Sequence, residues 1–122
     1  MGKRILLVGH CNVDGPRLQE IISSEIPGSK VERINSDADL SRTVGEGADL
    51  LLINREPVGF DESGLELVRK VRGENPGTKV MLVSDYPDAQ EQAVRAGALP
   101  GFGKSQIGSP ELAETVGQAL GT

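Results

Sequence analysis

The sequence predicts an α/β fold, a doubly wound five-stranded parallel sheet in the order 2-1-3-4-5 with helices on both faces. Apolar runs of strand length alternate with helical patterns along the chain, and that alternation is the first ground for the prediction. The second is the quality of three runs, residues 5–8, 50–53 and 80–83, which are unbroken and so suit strands covered on both faces. Glycine and proline supply the third, because they fall where each helical pattern has to stop.

After the first strand, at 5–8, Pro16 suits a helical first turn, and Leu18, Ile21, Ile22 and Ile26 recur at helical spacing until Pro27 and Gly28 end the pattern. Residues 31–34 make a weaker strand, with charged residues between apolar ends. Ser36 or Asp37 is placed to cap a short helix carrying Leu40 and Val44, which Gly45 and Gly47 terminate. The buried strand at 50–53 is followed by a long connection and a helix marked by Leu65, Val68 and Val71, closed by Gly73 and the Asn75, Pro76, Gly77 turn. Strand 80–83 leads to a helix started by Pro87, whose inner side offers only Ala89, Ala93 and Ala96; it is expected to be the least apolar of the helices. Residues 98–102 are a poor strand, because Pro100 is tolerated only at a sheet edge. Ser109 and Pro110 give an N-cap and first-turn signal for a last helix with Leu112, Val116, Ala119 and Leu120 on its inner face. In such sheets functional groups gather at the carboxyl ends of the strands, which directs attention to residues 9–14, 54–62, 84–88 and 103–106.

Composition narrows the function. A chain of 122 residues fits one compact domain, and residues 1–122 are read as one. Tyr86, Phe60 and Phe102 are the only aromatic residues and the net charge is -5, so a base-stacking surface, a phosphate-binding groove and an anionic-membrane surface are all disfavoured. No apolar run is long enough for a membrane span, and only four consecutive apolar residues precede Gly9 and His10, too few for a signal-peptide core. The lone Cys11 has no internal disulfide partner, which fits a reducing compartment, and a cytoplasmic location is expected. Residues 9–15 carry neither the dinucleotide-binding glycine pattern nor the Walker pattern. His10 and Cys11 are adjacent, point to opposite sides of a strand end and have no second histidine or cysteine to join them, so packing is expected of them and no metal site. No cofactor and no enzymatic activity are expected.

Five segments in order, ILLVGH, ADLLLIN, GLELVRKVR, KVMLVS and AGALPGFGKS, resemble the landmarks of a bacterial response-regulator receiver domain of the chemotaxis-regulator type, a flavodoxin-like (βα)5 fold. The resemblance covers nearly the whole chain. In that family an acidic pair ending the first strand holds Mg²⁺, an aspartate ending the third accepts a phosphoryl group, a Ser/Thr ends the fourth, and a lysine follows the fifth. Carried over by position, the acidic pair falls on Gly9 and His10, the phosphoacceptor on Asn54, the hydroxyl on Ser84 and the lysine on Lys104. The proline after that lysine is replaced by Ser105, the connection 55–64 is about two residues longer than usual, and Pro57 sits one place early.

These departures have chemical consequences. A carboxamide has no oxygen nucleophilic enough to form an acyl phosphate, so Asn54 is expected to be a disabled phosphoacceptor. Gly9, neutral His10 and Asn54 supply no carboxylate for a hard cation, so Mg²⁺ binding is expected to be lost. Ser84 is expected either to keep a switch hydroxyl or to cap the Pro87 helix, and Lys104, short of counter-charge, to bond Asn54 or swing outward. Replacing Gly9, His10 and Asn54 together by aspartate is expected to rebuild the family's oxygen-rich pocket. The resemblance implies a pseudo-receiver that binds a protein partner of a signalling pathway through its fourth helix, fifth strand and fifth helix. Two other readings stay open: phosphorylation at another carboxylate such as Asp14 or Asp85, and a small-ligand binder at the same strand ends, with Lys104 facing an anion. Asp85 and Asp88 otherwise serve a helix N-terminus, and Tyr86 either packs or faces a partner.

Overall fold

The computed structural model describes residues 2–121. Five parallel strands, β1 (Arg4–Val8), β2 (Lys30–Ile34), β3 (Leu50–Asn54), β4 (Lys79–Val83) and β5 (Leu99–Phe102), form one sheet in the order β2-β1-β3-β4-β5. The helices α1 (Asp14–Glu25), α2 (Asp37–Glu46), α3 (Gly64–Glu74), α4 (Pro87–Arg95) and α5 (Pro110–Leu120) connect or follow them, and a single 3₁₀ turn at Lys104–Gln106 precedes α5. Order, parallel pairing and element sequence are those expected.

Alternation along the central strands decides which helix lies where, since successive side chains point to opposite faces. Ile5, Leu7, Leu50, Leu52, Met81 and Val83 pack with Leu18 and Ile22 of α1 and Leu112 and Val116 of α5. Leu6, Val8, Leu51, Ile53, Val80 and Leu82 pack with Leu40 and Val44 of α2, Leu67, Val68 and Val71 of α3, and Ala93 of α4. The buried residues of both cores are aliphatic apart from Met81 and Phe102, with Phe60 packed against the second core, and Ala93 is the one buried residue that α4 contributes.

The termini of the helices follow local chemistry. Ser36 is the N-cap of α2, its hydroxyl accepting from the Asp39 N–H, and Ser63 does the same for Glu66 of α3. Gly47, at φ 102°, ends α2 in a conformation that favours glycine. Ser109 stands at the N-cap position of α5 as expected, but its hydroxyl does not cap; it donates to the Gln106 carbonyl 2.7 Å away, closing the preceding 3₁₀ turn. Pro100 lies on β5, an edge strand. A register shift between Met81 and Val83 interrupts β4–β5 pairing opposite Gly101.

Reversal of strand order between β2-β1 and β1-β3 opens a crevice beyond the carboxyl ends of β1 and β3. The candidate cleft lies beside it, beyond the carboxyl ends of β3, β4 and β5. No helix among the described residues is long and apolar enough to cross a membrane.

Candidate functional site at the carboxyl ends of the strands

Asn54 ends β3 and is buried, with its carboxamide turned toward the first loop. Nδ2 donates to the Gly9 carbonyl at 2.9 Å and to the Glu56 carbonyl at 3.0 Å. The opposite amide oxygen is buried and has no partner among the described residues. Ser84, just past β4, is also buried, and its hydroxyl accepts from the Tyr86 N–H at 3.1 Å. That bond closes the turn before α4 rather than capping it; Tyr86 is the N-cap residue and α4 has no side-chain cap.

Lys104 swings outward. It is 46% exposed and its ammonium lies 3.6 Å from a carboxylate oxygen of Asp14, the first residue of α1. Asp14 thus supplies counter-charge to Lys104 from the start of α1, just beyond the same end of β1 where Gly9 and His10 lie. Asp85 is held by Ser105, whose N–H and hydroxyl both donate to it, the latter at 2.7 Å. A proline in place of Ser105 would lack that N–H. The described residues contain no cis peptide bond.

Asn54, Ser84 and Lys104 therefore do come together, lining an open cleft of about 310 Å³ with Arg55, Glu56, Val83, Asp85 and Tyr86. Neither Gly9 nor His10 lines it, although the Gly9 carbonyl accepts from Asn54. At φ 73° Gly9 turns the chain sharply after β1, and the His10 imidazole then sinks into the core, where Nε2 donates to the Leu52 carbonyl at 2.8 Å. Burial pushes the imidazole below the usual histidine range, so it is neutral near pH 7. The buried Nδ1 has no partner among the described residues.

The position of Pro57 closes the site to an acid at residue 9. A Cβ on Gly9 would collide with the Pro57 side chain and backbone, and the positive φ would add strain. Triple replacement by aspartate at 9, 10 and 54 therefore does not rebuild an oxygen-rich pocket on this backbone, contrary to expectation: the first acid has no room and the second would be buried in the core. The residues present do not fit a hard divalent cation. Gly9 and His10 offer no carboxylate, Asn54 presents N–H groups to the nearby carbonyls, and Asp14 faces Lys104. No group of three or more His, Cys, Asp or Glu placed to hold a metal exists among the described residues.

Sequence reasoning places Arg55 and Glu56 within the strand-end segment 54–62 but misses the contact of Arg55 with Tyr86. The Arg55 guanidinium stacks on the Tyr86 ring, 4.6 Å from its centroid, and pairs with Glu56 at 2.9 Å. Tyr86 itself remains 60% exposed. Nothing in the spacing of residues 55 and 86 announces that contact, which depends on the strand order.

No protein-family model and no curated protein matches the chain. Solved structures do match it, nearly end to end. A CheY-like response-regulator receiver domain protein from Methanospirillum hungatei superposes with a TM-score of 0.82 at 25% identity, covering 99% of this chain and 95% of that one. A response regulator from Thermotoga maritima gives 0.81 at 21% identity, with each chain fully covered. NtrX from Brucella abortus gives 0.86 at 20% identity over 99% of this chain and 28% of the longer one. The chain has the response-regulator receiver fold, and the receiver domains it is similar to span its whole length.

Proposed function

We propose that the chain is a pseudo-receiver: a receiver domain of two-component signal transduction that acts in the cytoplasm by binding a protein partner, without being phosphorylated and without catalysing a reaction. One observation carries the reading, the carboxamide of Asn54 at the end of β3 with both amide protons spent on the Gly9 and Glu56 carbonyls. Acyl-phosphate formation needs a carboxylate nucleophile and nearby positive charge to neutralise the transferring phosphoryl oxygens. Here the nucleophile is absent and the one lysine of the cleft is directed at Asp14.

The remaining carboxylates are poor substitutes. Asp14 is engaged with Lys104, and Asp85 accepts from both donors of Ser105, whose N–H is shared between the two carboxylate oxygens. The acidic net charge and the scarcity of aromatic residues support a protein partner over nucleic acid or membrane. Treatment with a small phosphodonor and Mg²⁺, followed by intact-mass measurement, tests the reading: the expected result is no phosphoryl adduct, and an adduct mapped to any aspartate sinks it.

A further inference from the structure

Two main-chain oxygens converge on one atom at the top of β3. Carbonyl oxygens brought together in a part-buried place repel one another unless positive charge or N–H groups lie between them. The Gly9 and Glu56 oxygens, 2.9 and 3.0 Å from Asn54 Nδ2, meet that requirement with the two protons of a single amide. We propose that the Asn54 carboxamide is a built-in substitute for a cation, a positioning group that pins the β3–α3 loop to the end of β1 and holds this end of the sheet in one conformation.

Amide orientation is fixed by its surroundings, because the flipped form would set Oδ1 against both carbonyls. The observed form leaves Oδ1 buried without a partner among the described residues, so the donor side governs the placement. Gly9 is the common anchor. Its oxygen also accepts from the Val58 N–H at 2.8 Å, its own N–H donates to the Ile34 carbonyl at 2.8 Å, and Pro57 packs where a side chain would otherwise project. Residues 54, 56, 57 and 58 are thereby tied to the end of β1, and through it to β2. Both lone pairs of the Gly9 oxygen are used. Lys104 lines the same cleft, but its ammonium faces Asp14 and does not sit among these oxygens. The inference concerns conformation and stands whether or not the pseudo-receiver reading holds.

Asn54→Asp places a carboxylate oxygen where the amide protons were, and Asn54→Ala removes them. Thermal melts and amide hydrogen exchange of the full chain read the consequences. In wild type, millimolar MgCl₂ leaves Tm unchanged. Asn54→Asp melts about 5–10 °C lower near neutral pH and regains much of the loss with MgCl₂ or CaCl₂, but not with NaCl of equal ionic strength. Three clustered oxygens hold the new carboxyl's proton, so its folded pKa rises above the unfolded value; stability relative to wild type falls as pH rises through that window and returns below it. The Val58 amide exchanges faster in Asn54→Ala, a change that a loop held by packing alone would not show. Should Asn54→Asp fail to fold without cation, recovery of the fold on adding MgCl₂ supports the proposal and no recovery overturns it. Unchanged Val58 exchange in Asn54→Ala, an Asn54→Asp Tm equal to wild type without cation, or a saturable rise of the wild-type Tm with MgCl₂ also overturns it.

Discussion

His10 is the chain's one histidine, and its burial makes folding pH-sensitive. Burial holds the folded imidazole below the usual 6.5 of a free histidine; the bond to the Leu52 carbonyl and Asp14 favour its charging, while Lys104 and Arg33 oppose it. Sign follows from proton counting: below about pH 6.5 the unfolded chain takes up a proton that the folded chain refuses, so stability is full above that pH and is lost as pH falls through the window. Glu32 and Glu46, held below 4.5 against Arg4, contribute their losses only at more acidic pH. His10→Gln keeps a neutral donor for the Leu52 carbonyl, and urea denaturation at a series of pH values should show a flatter decline between roughly pH 6.5 and 5 than in wild type. An unchanged slope would place the titrating group elsewhere. Asn54, Ser84 and Lys104 were legible as neighbours because each ends or follows a strand whose order the motifs give. The fate of His10 was not, since it depends on the positive φ at Gly9 and on Pro57 filling the space beside it.

Among the elements, β5 and α4 are held together by a side chain that the sequence did not advertise. Gln90 of α4 donates from Nε2 to the Leu82 and Ser84 carbonyls at 2.8 and 3.1 Å, while its Oε1 accepts from the Gly101 N–H at 3.2 Å. It stands where the β4–β5 ladder shifts register, supplying bonds that the ladder lacks. Gly101 leaves no room for a Cβ against the Leu82 carbonyl, so the two strands approach closely there. Gln90→Ala should cost about 1–3 kcal/mol, the range for leaving partly buried main-chain groups unpaired, read as a lower urea midpoint with an unchanged m value. A loss within error would mean that water replaces the amide. Helical periodicity gave the inward residues of α5 and the weak inner face of α4, because burial is periodic. Side-chain caps were less readable: Ser36 caps and Ser109 does not, and only the neighbouring Gln106 carbonyl separates the two cases.

At the scale of the whole molecule, strand order and the placement of helices follow from unbroken apolar strands and alternating faces, which is why the fold was legible almost completely. The chemistry of the cleft was legible as a set of losses. How those losses are filled, by an amide between two carbonyls, a proline against Gly9 and an aspartate from α1 on Lys104, depends on loop geometry that no motif encodes. The central claim is that this end of the receiver fold is complete without a phosphoryl group or a cation. Amide proton–nitrogen NMR spectra recorded before and after adding beryllofluoride, a phosphoryl analogue, with Mg²⁺ test it most directly. The account predicts that the resonances of Gly9, Asn54, Ser84, Tyr86 and Lys104 stay in place, apart from shifts that matched ionic strength reproduces; saturable movement of those resonances, spreading to α4 and β5, would contradict it.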